Sequence, residues 1–188
     1  MSIFSTGLNP LKNTKVVPIF LTINSAYAPY AAAAIHSLTQ KVDKKRYYRV
    51  IILHDGLNLA NRVRLRSLVT DNVALQFKKI SNNLYLKAII KYCSRRKGAG
   101  DFFSSAVYYY RFFIPRLFPM YDKCVYIDSD TILRGDIGEL FDTDLDGNAM
   151  AAMVDPKVEV IPEFRKYVDH AVGVPYQEYC NSGVLVMN

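Results

Sequence analysis

A chain of 188 residues, 51% hydrophobic and 22% charged, has enough apolar surface for one buried core and excludes intrinsic disorder. The net charge of +7 favours anionic partners, but its Lys and Arg residues are dispersed, which argues against the basic stripe of a nucleic-acid-binding protein. Cys93, Cys124 and Cys180 are too few and too scattered for a disulfide framework or a zinc site. The opening MSIFSTGLNPLKNTK has no signal-peptide apolar run, and no later stretch suits a bilayer span. The expectation is a cytoplasmic protein, or one peripheral to a membrane.

No repeat or low-complexity linker interrupts residues 1–188, which read as a single domain of alternating strands and helices. Val16 to Ile23 is a continuous apolar run, as in a strand buried on both faces. Pro18 fits only near its start or where no amide donor is needed. Pro29 then opens an alanine-rich helix to about Gln40. Val50 to Leu53 predicts the next strand. Asn58 reads as the cap of a helix through Leu68 whose apolar face is Leu59, Val63, Leu65 and Leu68.

Val73 to Ile80 is a further strand, and SRRKGAG, residues 94–100, a basic loop. Ser104 or Ser105 can cap a helix through Tyr108, Tyr109, Tyr110 and Arg111 to Pro115, its aromatic residues packing in the core. Cys124 to Ile127 is a short strand with Cys124 as a small core residue. Asp136 to Phe141 is a short capped helix with Glu139 in capping-box position. Ala149 to Val154 and Gly183 to Met187 are the last strands. Such alternation predicts an α/β fold with a mostly parallel sheet flanked by helices. Ligands in such sheets collect beyond the carboxyl ends of the strands.

The segment KCVYIDSDTIL, residues 123–133, delivers Asp128 and Asp130 at such an end. A side-chain period of two sends both aspartates to one side and Ser129 to the other. Paired carboxylates repel unless a cation or protons intervene. Their hard oxygens suit Mg²⁺ or Mn²⁺, which bridge carboxylates to substrate phosphates and neutralise a leaving diphosphate. DSDTI also approaches the D-x-D-x-[TV] signature of haloacid-dehalogenase-type phosphatases. That family carries the motif on its first strand and wants Thr or Val where Ile132 stands. His36, His54 and His170 lack ligand-like spacing and read as structural.

From about Val16 to Asn188 the chain resembles the retaining family 8 of lipopolysaccharide galactosyl- and glucosyltransferases and glycogenin. The resemblance rests on FLTINSAY, YYYRFFIP, VYIDSDTILRGDIGELF and YCNSGVLVMN, in the family's order. It implies a GT-A-type nucleotide-diphospho-sugar transferase fold, whose C-terminal part is expected to be missing here. It implies transfer of glucose or galactose from a UDP-sugar, with retention, to a saccharide, lipid-linked or protein acceptor.

Carried over by position, Asp128 and Asp130 ligate Mn²⁺ or Mg²⁺, with Ser129 between them at the donor. Thr22, Ile23, Asn24 and Tyr27 surround the uridine, Tyr27 stacking on the base. Arg111 reaches the diphosphate or sugar. Asp155, Asn181, Ser182 and Gly183 contact the sugar hydroxyls, with Asp155 and Asn181 nearest the chemistry. Asp155 and the Asn181–Gly183 run also suit plain turns. Asn24 stands where the family commonly has an acidic residue, and the later H-x-x-G-x-x-K-P-W block with its metal-binding histidine does not occur. The alternative expectation is therefore a catalytically incomplete UDP-sugar-binding fragment.

Overall fold

The computed structural model describes residues 16–80 and 106–188. Its strands are β1 (Val16–Ile23), β2 (Tyr47–His54), β3 (Val73–Lys79), β4 (Cys124–Ile127), β5 (Met150–Val154) and β6 (Cys180–Met187). They form one sheet in the order β3-β2-β1-β4-β6-β5. β1 pairs parallel with β2 and β4, and β2 parallel with β3. β6 runs antiparallel between β4 and β5. The mostly parallel sheet expected from the sequence is observed, with β6 the reversed strand.

Every residue of β1 from Val17 to Ile23 is buried, as a continuous apolar run requires when both faces of the sheet are covered. Ile19, Leu21 and Ile23 pack on one side with helices α1 (Ala28–Thr39) and α2 (Leu59–Arg66). Phe20 packs on the other with Tyr110, Ile114, Phe118 and Tyr126. β4 meets β1 at Ile19 and Phe20, beyond Pro18, so that side makes no demand on the missing proline donor.

Two helical expectations are corrected. Asn58 does cap α2, accepting from the Asn61 N–H at 2.8 Å. The apolar face is narrower than expected, however: Leu65 is buried and Leu68 packs on the core, but Leu59 and Val63 are 75% and 59% exposed. With Leu65 held against the sheet, a 100° step per residue turns positions 59 and 63 outward. The aromatic segment is not one α-helix but a 3₁₀ helix, Ala106–Phe113, running into α3 (Ile114–Leu117). Tyr110 joins the core there, whereas Phe112 is largely exposed. Ser104, Ser105, Cys93 and the basic loop at 94–100 lie outside the described residues.

Asp136 caps α4 (Ile137–Phe141) through the Gly138 N–H, at 2.9 Å. No described helix is long and apolar enough to cross a membrane. The feature that positions the site is the reversal of strand order at β1. The chain leaves β1 for β2 on one side, and β4 later arrives on the other. The gap beyond their carboxyl ends is a topological switch point, where crossover segments diverge and leave a crevice.

Candidate functional site

Asp128 immediately follows β4 and stands at this crevice. Ile127 pairs with Val184 of β6, so the next residues, Asp128 and Gly183, face one another, and Asp128 N–H donates to Gly183 C=O at 2.7 Å. The strand stops there and the chain turns, with the Thr131 hydroxyl donating to Asp128 C=O at 2.8 Å. The strand periodicity expected through Asp130 is thus replaced by a turn. Asp128 is half-buried, Ser129 buried and Asp130 exposed.

Asp128 Oδ1 is held from two directions. Arg111 Nη2 approaches it at 3.0 Å, and the Tyr126 hydroxyl donates to it at 2.6 Å. Arg111 is 6% exposed and comes from the 3₁₀ helix opposite β4. Its Nε donates to Tyr108 C=O, its Nη1 to Ser182 C=O at 2.6 Å and Ser182 Oγ at 3.2 Å, and the guanidinium lies 4.6 Å from the Tyr126 ring centroid. The planar fork thereby ties three chain segments together. Burial, aided by the Asp128 carboxylate and opposed by Arg111, pushes the Tyr126 phenol up, so it is a protonated donor at neutral pH.

On the β6 side, Asn181 Oδ1 accepts from Gly183 N–H at 2.8 Å and its Nδ2 donates to Asp155 Oδ2 at 3.2 Å. Asp155 is buried, its Oδ1 accepting from Lys157 N–H at 3.0 Å. Asp155, Asn181, Ser182, Gly183, Asp128 and Arg111 are therefore one connected network. The Asn181–Gly183 run belongs to β6 rather than to a turn.

The β1 end supplies the other wall. Thr22 and Ile23 are buried, and the Thr22 hydroxyl lies 3.0 Å from the Tyr126 hydroxyl. Asn24 accepts from Tyr27 N–H at 3.1 Å, fixing the turn that presents the half-buried Tyr27 ring, 5.4 Å from Tyr30. Burial first, then a hydrogen bond with Tyr27 and the charges of Asp128 and Asp130, push the Tyr108 phenol up. Tyr108, expected only as packing, thus bonds to Tyr27 within reach of the carboxylate pair's charge.

Sequence reasoning also passed over Tyr126. Its signal was available: it stands two residues before Asp128, on the same face of β4. His54 is structural as expected, buried with Nδ1 accepting from Leu57 N–H at 3.0 Å.

A divalent cation fits the donor set. Asp128 Oδ2 lies against Gly183, whose missing side chain leaves the space that the carboxylate occupies, and the exposed Asp130 offers a second hard oxygen of the same chemistry. Among the described residues no group of three His, Cys, Asp or Glu side chains could hold a metal. Such a site suits an ion that takes one or two carboxylates and completes its shell with phosphates and water.

The family model described as "Glycosyl transferase family 8" matches residues 18–188. The bovine "Glycosyltransferase 8 domain-containing protein 2" is 28% identical over 140 residues, 74% of this chain and 38% of its own length. The WbbM bifunctional glycosyltransferase structure is 30% identical with a TM-score of 0.74, covering 96% of this chain and 32% of that one. The structure of the galactosyltransferase LgtC in complex with donor and acceptor sugar analogues has 23% identity and a TM-score of 0.71, covering 92% and 58%. The chain thus spans 32% to 58% of the length of these relatives. The α/β architecture is the GT-A type expected from the sequence, and the chain belongs to glycosyl transferase family 8.

Proposed function

We propose that this chain forms the donor side of a retaining hexosyltransferase. A UDP-sugar, carrying glucose or galactose, lies across the switch point, with its uridine against Thr22–Asn24 and Tyr27 and its diphosphate toward Asp128 and Asp130. Asp155 and Asn181 address the sugar hydroxyls, with Ser182 and Gly183 alongside and Ser129 supporting the turn. Arg111 fixes Asp128 and adds positive charge beside the diphosphate. The observation that carries this proposal is the contact of buried Arg111 with half-buried Asp128 at the switch point, 3.0 Å apart, which orients one carboxylate of the D-x-D turn.

In the reaction, the bond between the anomeric carbon and the β-phosphate oxygen breaks. The acceptor hydroxyl oxygen bonds to the same face of that carbon, and its proton passes to the departing phosphate. Front-face attack guided by the departing phosphate is the proposed route to retention. Mn²⁺ or Mg²⁺ held by Asp128 and Asp130 would supply charge neutralisation for the leaving UDP. Saccharide, lipid-linked and protein acceptors all match the chemistry, as does work at a membrane face; nucleic acid is not the proposed partner.

The test is calorimetric titration of UDP with and without Mn²⁺, for wild type and Asp130→Ala. Manganese-dependent binding that is lost in the variant supports the donor site, and absence of UDP binding under both conditions sinks it. A UDP-sugar-binding fragment without transfer activity is the second proposal, favoured by the two-carboxylate metal set among the described residues. Donor binding without metal-stimulated hydrolysis or transfer would identify that fragment.

A further inference from the structure

The Tyr126 hydroxyl connects the two walls of the crevice. A carboxylate accepts but does not donate, so the one phenolic proton lies toward Asp128 Oδ1, at 2.6 Å. The contact with Thr22 Oγ1, at 3.0 Å, must then run the other way, with the threonine donating to the phenolic oxygen. Thr22 on β1, Tyr126 on β4 and Asp128 on the turn form a directed relay, in which each bond polarises the next. The tyrosine is fully buried and its ring lies beneath Arg111, so it has no freedom to aim elsewhere.

Asp128 Oδ1 is therefore filled by Arg111 and Tyr126, and the carboxylate plane is set with Oδ2, the oxygen these two donors leave open, against Gly183, in a side chain that is 36% exposed. An aspartate held by the arginine alone could pivot about that single contact. The second donor removes the pivot.

We propose that Tyr126 is a positioning residue: through its hydrogen bond, oriented by Thr22, it presents Asp128 Oδ2 to the metal–diphosphate of the donor. This rests on the donor-site proposal above. Partners behind a metal ligand fix its orientation, and their loss typically lowers metal affinity by about 10–100-fold.

The experiment measures two quantities in wild type, Tyr126→Phe and Thr22→Val: the Kd for Mn²⁺ with UDP present, and the Kd for UDP without metal. Free Mn²⁺ is read by electron paramagnetic resonance, and the melting midpoint is recorded alongside. Tyr126→Phe is expected to weaken Mn²⁺ binding by about 10-fold or more, leaving metal-free UDP binding within about twofold. Thr22→Val keeps both the shape and the Tyr126–Asp128 bond, so its loss is expected to be smaller and in the same direction. If Tyr126→Phe does not fold, Thr22→Val carries the test through its Mn²⁺ affinity at saturating UDP alone, because Thr22 also lines the proposed uridine site and its metal-free UDP affinity is not a control.

A merely structural tyrosine would lower the midpoint and both affinities together, which overturns the positioning role. So would Mn²⁺ affinity unchanged in the variants while wild type binds manganese with UDP. Wild type that binds no manganese in the presence of UDP overturns the donor site itself.

Discussion

Gly183 lies so close to Asp128 that a methyl group in place of its hydrogen would stand 2.8 Å from Asp128 Oδ2 and 2.9 Å from Asn181 Oδ1. The strand residue opposite the first aspartate thus leaves the space in which the carboxylate sits. No left-handed backbone is involved, since Gly183 has an ordinary strand conformation. Gly183→Ala should displace Asp128 or Asn181 and weaken manganese-dependent UDP binding by about 10-fold or more. Overpacking of this kind costs about 1–3 kcal/mol in stability. Calorimetry and thermal unfolding check both, and a variant matching wild type in both would show that the contact relaxes freely.

The two aspartates should separate in their effect on folding. Asp128 partners a buried arginine, so Asp128→Asn removes a charged acceptor and leaves Arg111 under-satisfied, an expected loss of about 1–3 kcal/mol. Asp130 is exposed, and Asp130→Asn should change stability by less than about 0.5 kcal/mol. Both should abolish manganese-dependent UDP binding. Chemical denaturation distinguishes the pair, and equal stability costs would contradict the Arg111 contact.

His54 gives the protein a pH-sensitive term away from the site. Burial, then the nearby Arg62 charge, lowers its pKa in the folded state, and protonating Nδ1 would break the bond from Leu57 N–H. The unfolded imidazole titrates near 6.5. Stability is therefore full above about pH 6.5 and falls as pH drops through the lowered folded value, because the unfolded chain takes up the proton first. His54→Asn, whose Oδ1 can replace Nδ1 as acceptor, should flatten this decline. Urea midpoints between about pH 7.5 and 5 measure it.

Tyr48 supports the end of the sheet opposite the crevice. Its hydroxyl donates to Asp136 Oδ1 at 2.7 Å and accepts from Asp43 N–H at 3.1 Å, while the ring is fully buried. Tyr48→Phe should cost about 1–2 kcal/mol, since the cap of α4 loses its support. UDP affinity should not change, because this cluster lies at the opposite ends of β2 and β4 from the crevice.

The cysteines should differ in reactivity. Burial pushes the Cys124 thiol up to about 12, whereas Cys180 is exposed at the start of β6. Alkylation near neutral pH should modify the Cys180 peptide and spare that of Cys124, as mass spectrometry would show. Modification of Cys124 in the folded protein would contradict its placement between sheet and 3₁₀ helix.

The sequence by itself determined the strands, because continuous runs such as Val16–Ile23 can satisfy their backbone and bury their side chains only inside a covered sheet. It determined the Asn58 and Asp136 caps, since such side chains answer orphan amides only a few residues away. It also determined that Asp128 and Asp130 stand at a strand end. These are local consequences of neighbouring residues.

What the tertiary structure decided is non-local. The reversed direction of β6 depends on pairing with β4 across more than fifty residues, which no periodicity encodes. That reversal sets Gly183 against Asp128 and Asn181 against Asp155. The outward turn of Leu59 and Val63 follows from which face of α2 the sheet accepts. The Thr22–Tyr126–Asp128–Arg111 network joins β1, β4 and the 3₁₀ helix, and its bonds exist only once packing has brought those segments together. A hydrogen bond across a hundred residues is set by the sheet order, and that order is a property of the whole core.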